Sequence, residues 1–125
     1  MTTLLFWLYT LELTLLVLHE MDSTYWKEWD LFHLPGGQGG FLLIHFPLWI
    51  LAFWGLIQVW EGTSAGLVYA LVIGLAGLGG FCIHTYFLRT GHPEFRAPVS
   101  LGLLWGMLLF SLFQLGLTVW LFLHG

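Results

Sequence analysis

Four runs of about twenty apolar residues take up most of this chain, and they dictate the solvent in which it can fold. They extend from about Thr3 to Met21, Phe41 to Trp60, Ala65 to Leu88 and Pro98 to Leu123. A helix rises about 1.5 Å per residue and a bilayer's hydrocarbon core is about 30 Å thick, so each run is long enough to cross it. Charged residues make up only 8% of the chain, against about a quarter in a soluble domain. The expected fold is all-α: an integral membrane four-helix bundle, a single transmembrane domain over residues 1–125.

The connections constrain how the spans are arranged. Between the second and third lies only Glu61-Gly62-Thr63-Ser64, where Gly breaks one helix and Thr or Ser can cap the next, so these two spans form an antiparallel hairpin. The turn from Thr90 to Ala97 is also short, and Pro98 suits the first position of the last helix. The long connection, Asp22 to Gly40, mixes Tyr25, Trp26 and Trp29 with Lys27, Glu28 and Asp30, then ends in a glycine run. Amphipathic aromatics favour the headgroup zone, so the segment around 23–33 is expected to be a short interfacial helix.

Lys27, Arg89 and Arg96 all fall at one end of the spans. By the positive-inside rule that end faces the cytoplasm, leaving both termini and the Glu61 hairpin outside. No Lys or Arg precedes Lys27, so the first span is read as a retained helix rather than a cleaved signal. Three basic residues against seven acidic ones leave no basic patch for nucleic acid, and the single Cys82 allows no intramolecular disulfide.

Packing signals are concentrated late in the chain. Gly66, Ala70, Gly77, Gly80 and His84 share one face of the third span, which is therefore small-sided. Gly102 and Gly106 form a Gly-x-x-x-Gly in the fourth and are expected to meet that face.

Alternating the spans brings His19, at the end of the first, His45, near the start of the second, and His84, near the end of the third, to one level. Glu20, Asp22 and Glu28 lie near that level by chain position, and His92 with Glu94 occupies the last connection. A catalytic zinc commonly takes three protein ligands, often imidazoles, and keeps a fourth position for water. Glu12 stands apart as an acidic residue near mid-membrane, two turns below His19 on nearly the same helix face. A carboxyl there can relay a proton, or it can serve only helix association by bonding Gln114, Ser111 or Tyr9.

The run from Leu18 to Phe32, with its His-Glu-x-Asp and Tyr-Trp-Lys-Glu-Trp elements, then Leu34-Pro35-Gly36-Gly37 and His45-Phe46-Pro47, resembles a family of small bacterial membrane proteins of unknown function. The resemblance covers the whole chain and implies a bacterial inner-membrane setting, with no activity attached.

Three functional readings follow. The first is a metal site of His19, His45 and His84 holding zinc or another divalent cation. Glu12, Glu20 and Asp22 are then its catalytic carboxylates, used in metal-assisted hydrolysis of a lipid-like substrate. The second is a redox or pigment-binding subunit with haem or a chlorin held by two of those histidines. The third is a cofactor-free accessory subunit of an oligomer or larger membrane complex.

Overall fold

The computed structural model describes residues 2–93 and 95–125, and all of its regular structure is helical. The long helices are α1 (Thr2–Tyr25), α3 (Gly37–Trp60), α4 (Ser64–Arg89) and α5 (Pro98–His124), and a one-turn helix, α2 (Glu28–Leu31), lies between the first two. Each long helix is apolar enough and long enough to cross a membrane, in agreement with the sequence. Large apolar side chains such as Leu43, Phe46, Val72, Trp105 and Leu123 are exposed along them, which is the inverse of a soluble surface.

The four helices form a ring in which α1 packs on α3, α3 on α4, α4 on α5 and α5 back on α1, with an additional α1–α4 contact across the middle. The most extensive pairing is α4 with α5. The core runs up the inner stripe of α1, from Leu5 through Tyr9, Leu13 and Leu16, and meets Ala52, Ala70, Ile73 and Met107 from the other helices.

Both turns are closed by local chemistry. The Thr63 side chain accepts from the Gly66 amide at 3.0 Å and caps α4. At the opposite end, the Arg96 guanidinium donates to the Leu88 carbonyl at 2.8 Å and to the His92 carbonyl at 3.2 Å, fixing the α4–α5 turn. Glu94 lies outside the described residues.

The long connection departs from expectation. The first helix continues past Met21 to Tyr25, so Asp22 and Ser23 are helical. It then breaks at Lys27, whose φ of 53° is left-handed, and the segment expected as one interfacial helix becomes a tight turn followed by α2. The glycine run is likewise more than a bend, since α3 already begins at Gly37. Gly40 packs so closely on the Pro35 carbonyl that a Cβ there would collide with it.

The small-residue face of α4 is buried as expected at Gly66, Ala70, Gly77 and His84, while Gly80 is half-buried. Its counterpart on α5 is not the Gly102–Gly106 pair. Gly106 faces Leu15 of α1, and Gly102 faces open space. Met107, Ser111 and Leu115 of α5 fill the room left by Gly80, Gly77 and Gly74 instead, so side chains enter notches rather than backbones meeting.

Candidate metal centre

The inner stripe of α1 ends in polar residues. Tyr9, Glu12, Leu13, Leu16, His19 and Ser23 recur at helical spacing and are all buried. His19 and Ser23 occupy successive turns of one face and point into the bundle at the end carrying the long connection. His84 arrives on the inner face of α4. The reversal at Lys27 folds Glu28 back toward both histidines.

The three side chains converge. His19 Nε2 and His84 Nε2 are 3.0 Å apart, and Glu28 Oε1 is 3.4 Å from His84 Nε2. One ligand atom from each residue lies within 4.8 Å of the others. All three residues are buried, His19 and His84 at 2% exposure and Glu28 at 7%. Burial works to raise the Glu28 carboxyl, but the His84 and Ser23 side chains beside it and the field of the two imidazoles outweigh that and hold it below the usual carboxylate range. The centre therefore gathers a carboxyl favoured in its charged form and two imidazole nitrogens, hydrogen-bonded to each other, within 4.8 Å.

A lid of aromatic rings closes it. Phe95, from the α4–α5 turn, is almost fully buried, with its ring centroid 4.2 Å from that of His84 and 5.6 Å from that of His19. Its backbone is left-handed at φ 66°, an unfavourable state for a residue of this size. The Phe32 ring lies 6.0 Å from that of His84, centroid to centroid. Trp26 braces the lid: its indole N–H is 3.2 Å from both Asp22 Oδ1 and Ser100 Oγ. Beneath the lid, the Nδ1 atoms of both histidines, Ser23 Oγ and Glu28 Oε2 are buried with no hydrogen-bond partner among the described residues.

Of the three histidines expected to share a metal, the structure brings together His19 and His84. His45 is at the same level but turns away, with its Nδ1–H donating to the Phe41 carbonyl at 2.7 Å and its Nε2 2.9 Å from Glu20 Oε2. Glu28, not His45, is the third group that lies with them. The carboxylates expected to assist are dispersed: Glu20 sits with His45, Asp22 receives the Trp26 indole, and Glu12 lies deep in the bundle.

Glu12 Oε1 accepts from the Ser111 hydroxyl at 2.8 Å, which is one of the partners the sequence suggested, and Gly77 leaves the room for this pair. The other two named partners are engaged elsewhere, Tyr9 donating to the Ala52 carbonyl and Gln114 to the Ala70 carbonyl, each at 2.7 Å. These are helix-to-helix bonds of the kind that fix a membrane bundle, each contributing about 0.6 kcal/mol and at most about 2.

Sequence reasoning missed Phe95 altogether and placed Glu28 only near the level of the site. A lone aromatic in a short turn has no periodicity to betray it. Glu28 becomes a site residue only through the left-handed Lys27.

The chain belongs to a family of unknown function, DUF6713, whose model matches residues 5–121. No curated protein and no solved structure matches it.

Proposed function

Because membership of this family brings no chemistry with it, we propose from the geometry that this membrane protein binds a divalent transition-metal ion, zinc above all, through His19, Glu28 and His84. The observation that carries the reading is the spacing of the donor atoms. Around a tetrahedral ion with bonds of about 2.0–2.1 Å, neighbouring ligand atoms stand roughly 3.3 Å apart. The two edges formed at His84 Nε2 are 3.0 and 3.4 Å. A buried carboxylate facing two imidazoles also needs positive charge nearby, which the ion supplies. Two nitrogens and one oxygen suit zinc better than calcium or magnesium, which prefer oxygen shells.

Haem does not suit the same atoms. Axial imidazoles stand on opposite sides of a porphyrin plane, about 4 Å apart at twice a metal–nitrogen bond of about 2 Å. His19 and His84 are 3.0 Å apart with Phe95 and Phe32 against His84, so there is no slot for a macrocycle between them.

Three protein ligands leave a fourth position, the pattern that in catalytic zinc sites activates water. Ser23, buried one turn beyond His19 in the same stripe of α1 and beside the Glu28 carboxyl, is the hydroxyl we assign to adjoin it. Hydrolysis of a lipid-like substrate would require that substrate to pass beneath Phe95, so the site reads first as a binding centre and as an enzyme only when the lid opens. The end that carries it, with Lys27, Arg89 and Arg96, is read as cytoplasmic in a bacterial inner membrane.

Elemental analysis of protein purified in detergent tests the reading. The wild type is expected to retain close to one zinc per chain. His19→Ala, His84→Ala and Glu28→Ala should each reduce this at least tenfold, while His45→Ala leaves it unchanged. Metal content insensitive to His19 and His84 would overturn it.

A further inference from the structure

The pair formed by Glu20 and His45 is not absorbed by the metal centre, and it occupies an unusual place. Glu20 is five residues from the end of α1 and His45 eight from the start of α3, so both lie roughly 7–12 Å below the helix ends at about 1.5 Å per residue. Both residues lie within helices long and apolar enough to cross a membrane. Ionisable residues at such depths normally face the bundle interior or a cavity. This pair lines a groove that opens between α1, α3 and α4, and each of its side chains is 20% exposed.

The groove has a volume of about 310 Å³, at the lower end of the range for small-molecule sites. Apart from Glu20, His45, the Trp49 indole and the Tyr69 hydroxyl, its walls are apolar: Leu16, Leu48, Leu51, Ala52, Val68, Val72, Ile73 and Ala76. Leu48, Leu51, Val68 and Val72 are all about half exposed, so the groove opens on the faces that the helices turn to lipid. From His45 to Ala52 it follows α3 for about 10 Å, long enough to seat the head-proximal part of a hydrocarbon chain. The polar pair also borders a smaller hollow of about 120 Å³ near Met21, Thr24 and Leu42, toward the helix ends. A chain lying in the groove would therefore bring its polar head to Glu20 and His45.

The donors and acceptors at that point select the head. The His45 Nδ1–H is committed to the Phe41 carbonyl, and His45 Nε2 and Glu20 Oε2, 2.9 Å apart, share a proton between them, which leaves Glu20 Oε1 as the acceptor. A head that donates a hydrogen bond fits that oxygen, whereas a carboxylate head would meet it as a like acceptor. We propose that the groove between α1, α3 and α4 binds a single-chain amphiphile with a hydroxyl head, its chain along Leu48–Ala52 and Val68–Ala76 and its head at Glu20 and His45. The inference is independent of the metal reading, since it uses none of His19, Glu28 and His84.

Photolabelling of the full chain in phosphatidylcholine vesicles tests it, with hexadecanol carrying a mid-chain diazirine as probe and peptide mapping as readout. Label is expected in the segments Leu48–Ala52 and Val68–Ala76, displaced by unlabelled hexadecanol about tenfold more effectively than by hexadecanoate, the factor expected of one hydrogen bond to a charged or polar partner. Ala76→Phe, a change at an exposed position that fills the groove, should remove the label, and Glu20→Ala should abolish the preference for the alcohol while leaving the chain in place. Label spread evenly over the lipid-facing residues, label unchanged in Ala76→Phe, or equal displacement by alcohol and carboxylate would each overturn the proposal.

Discussion

At the scale of single residues, the bundle depends on what is missing at Gly77. A Cβ there would meet the Glu12 carboxyl and the Ser111 hydroxyl together, both fully buried and bonded to each other. Gly77→Ala should therefore destabilise by about 1–3 kcal/mol, the usual cost of overpacking. Gly79→Ala, at a position where a Cβ meets nothing within 4 Å, should be neutral or slightly stabilising because alanine favours helix. Thermal unfolding of both variants in detergent compares them. The same scale shows what could be read in advance. That Glu12 needs a hydroxyl or amide partner followed from its depth in an apolar run, and Ser111 was one of the three candidates. The level of the three histidines was also legible, because alternating spans fix height. Their direction around the helix axis was not. His19 and Glu20 are neighbours in sequence but about 100° apart on the helix, and that rotation sends one to His84 and the other to His45.

At the scale of elements, the centre is made by two short connections rather than by the spans alone. The α1–α2 turn delivers Glu28 through a left-handed Lys27, and the α4–α5 turn delivers Phe95 through another left-handed residue, pinned by Arg96 on the α4 carbonyls. Patterns of period 3.6 locate helices and are silent about such turns, so the four spans were legible while the places of Glu28 and Phe95 were not. The Gly102–Gly106 motif misled for a related reason: spacing identifies a small face but not the neighbour it meets. Phe95→Ala should leave the three ligands in place and uncover them. Zinc release to an excess of chelator is then expected to quicken at least tenfold with little change in the starting metal content, measured with a chromogenic zinc indicator. Arg96→Ala should act in the same direction and more weakly, because it loosens the turn without deleting the ring.

At the scale of the whole molecule, both loops of the candidate centre and all three basic residues gather at one end, and the chain termini and the Thr63-capped hairpin at the other. The positive-inside rule then predicts a definite orientation. A cysteine placed at Thr2 or His124 is expected to react with a membrane-impermeant maleimide applied to the outside of intact cells, and one at Gly91 only after the membrane is opened. The reverse pattern would put the centre outside. The distribution of the ligands along the chain also has a consequence for biogenesis. His19 and Glu28 emerge from the ribosome long before His84, 65 residues after the first histidine, and Phe95 follows later still. The first two groups enter the membrane as an incomplete set that α4 completes with His84 and the turn after it covers with Phe95. The candidate centre is thus assembled late in synthesis, and an ion captured there would lock the earliest helix to α4 once both have been delivered.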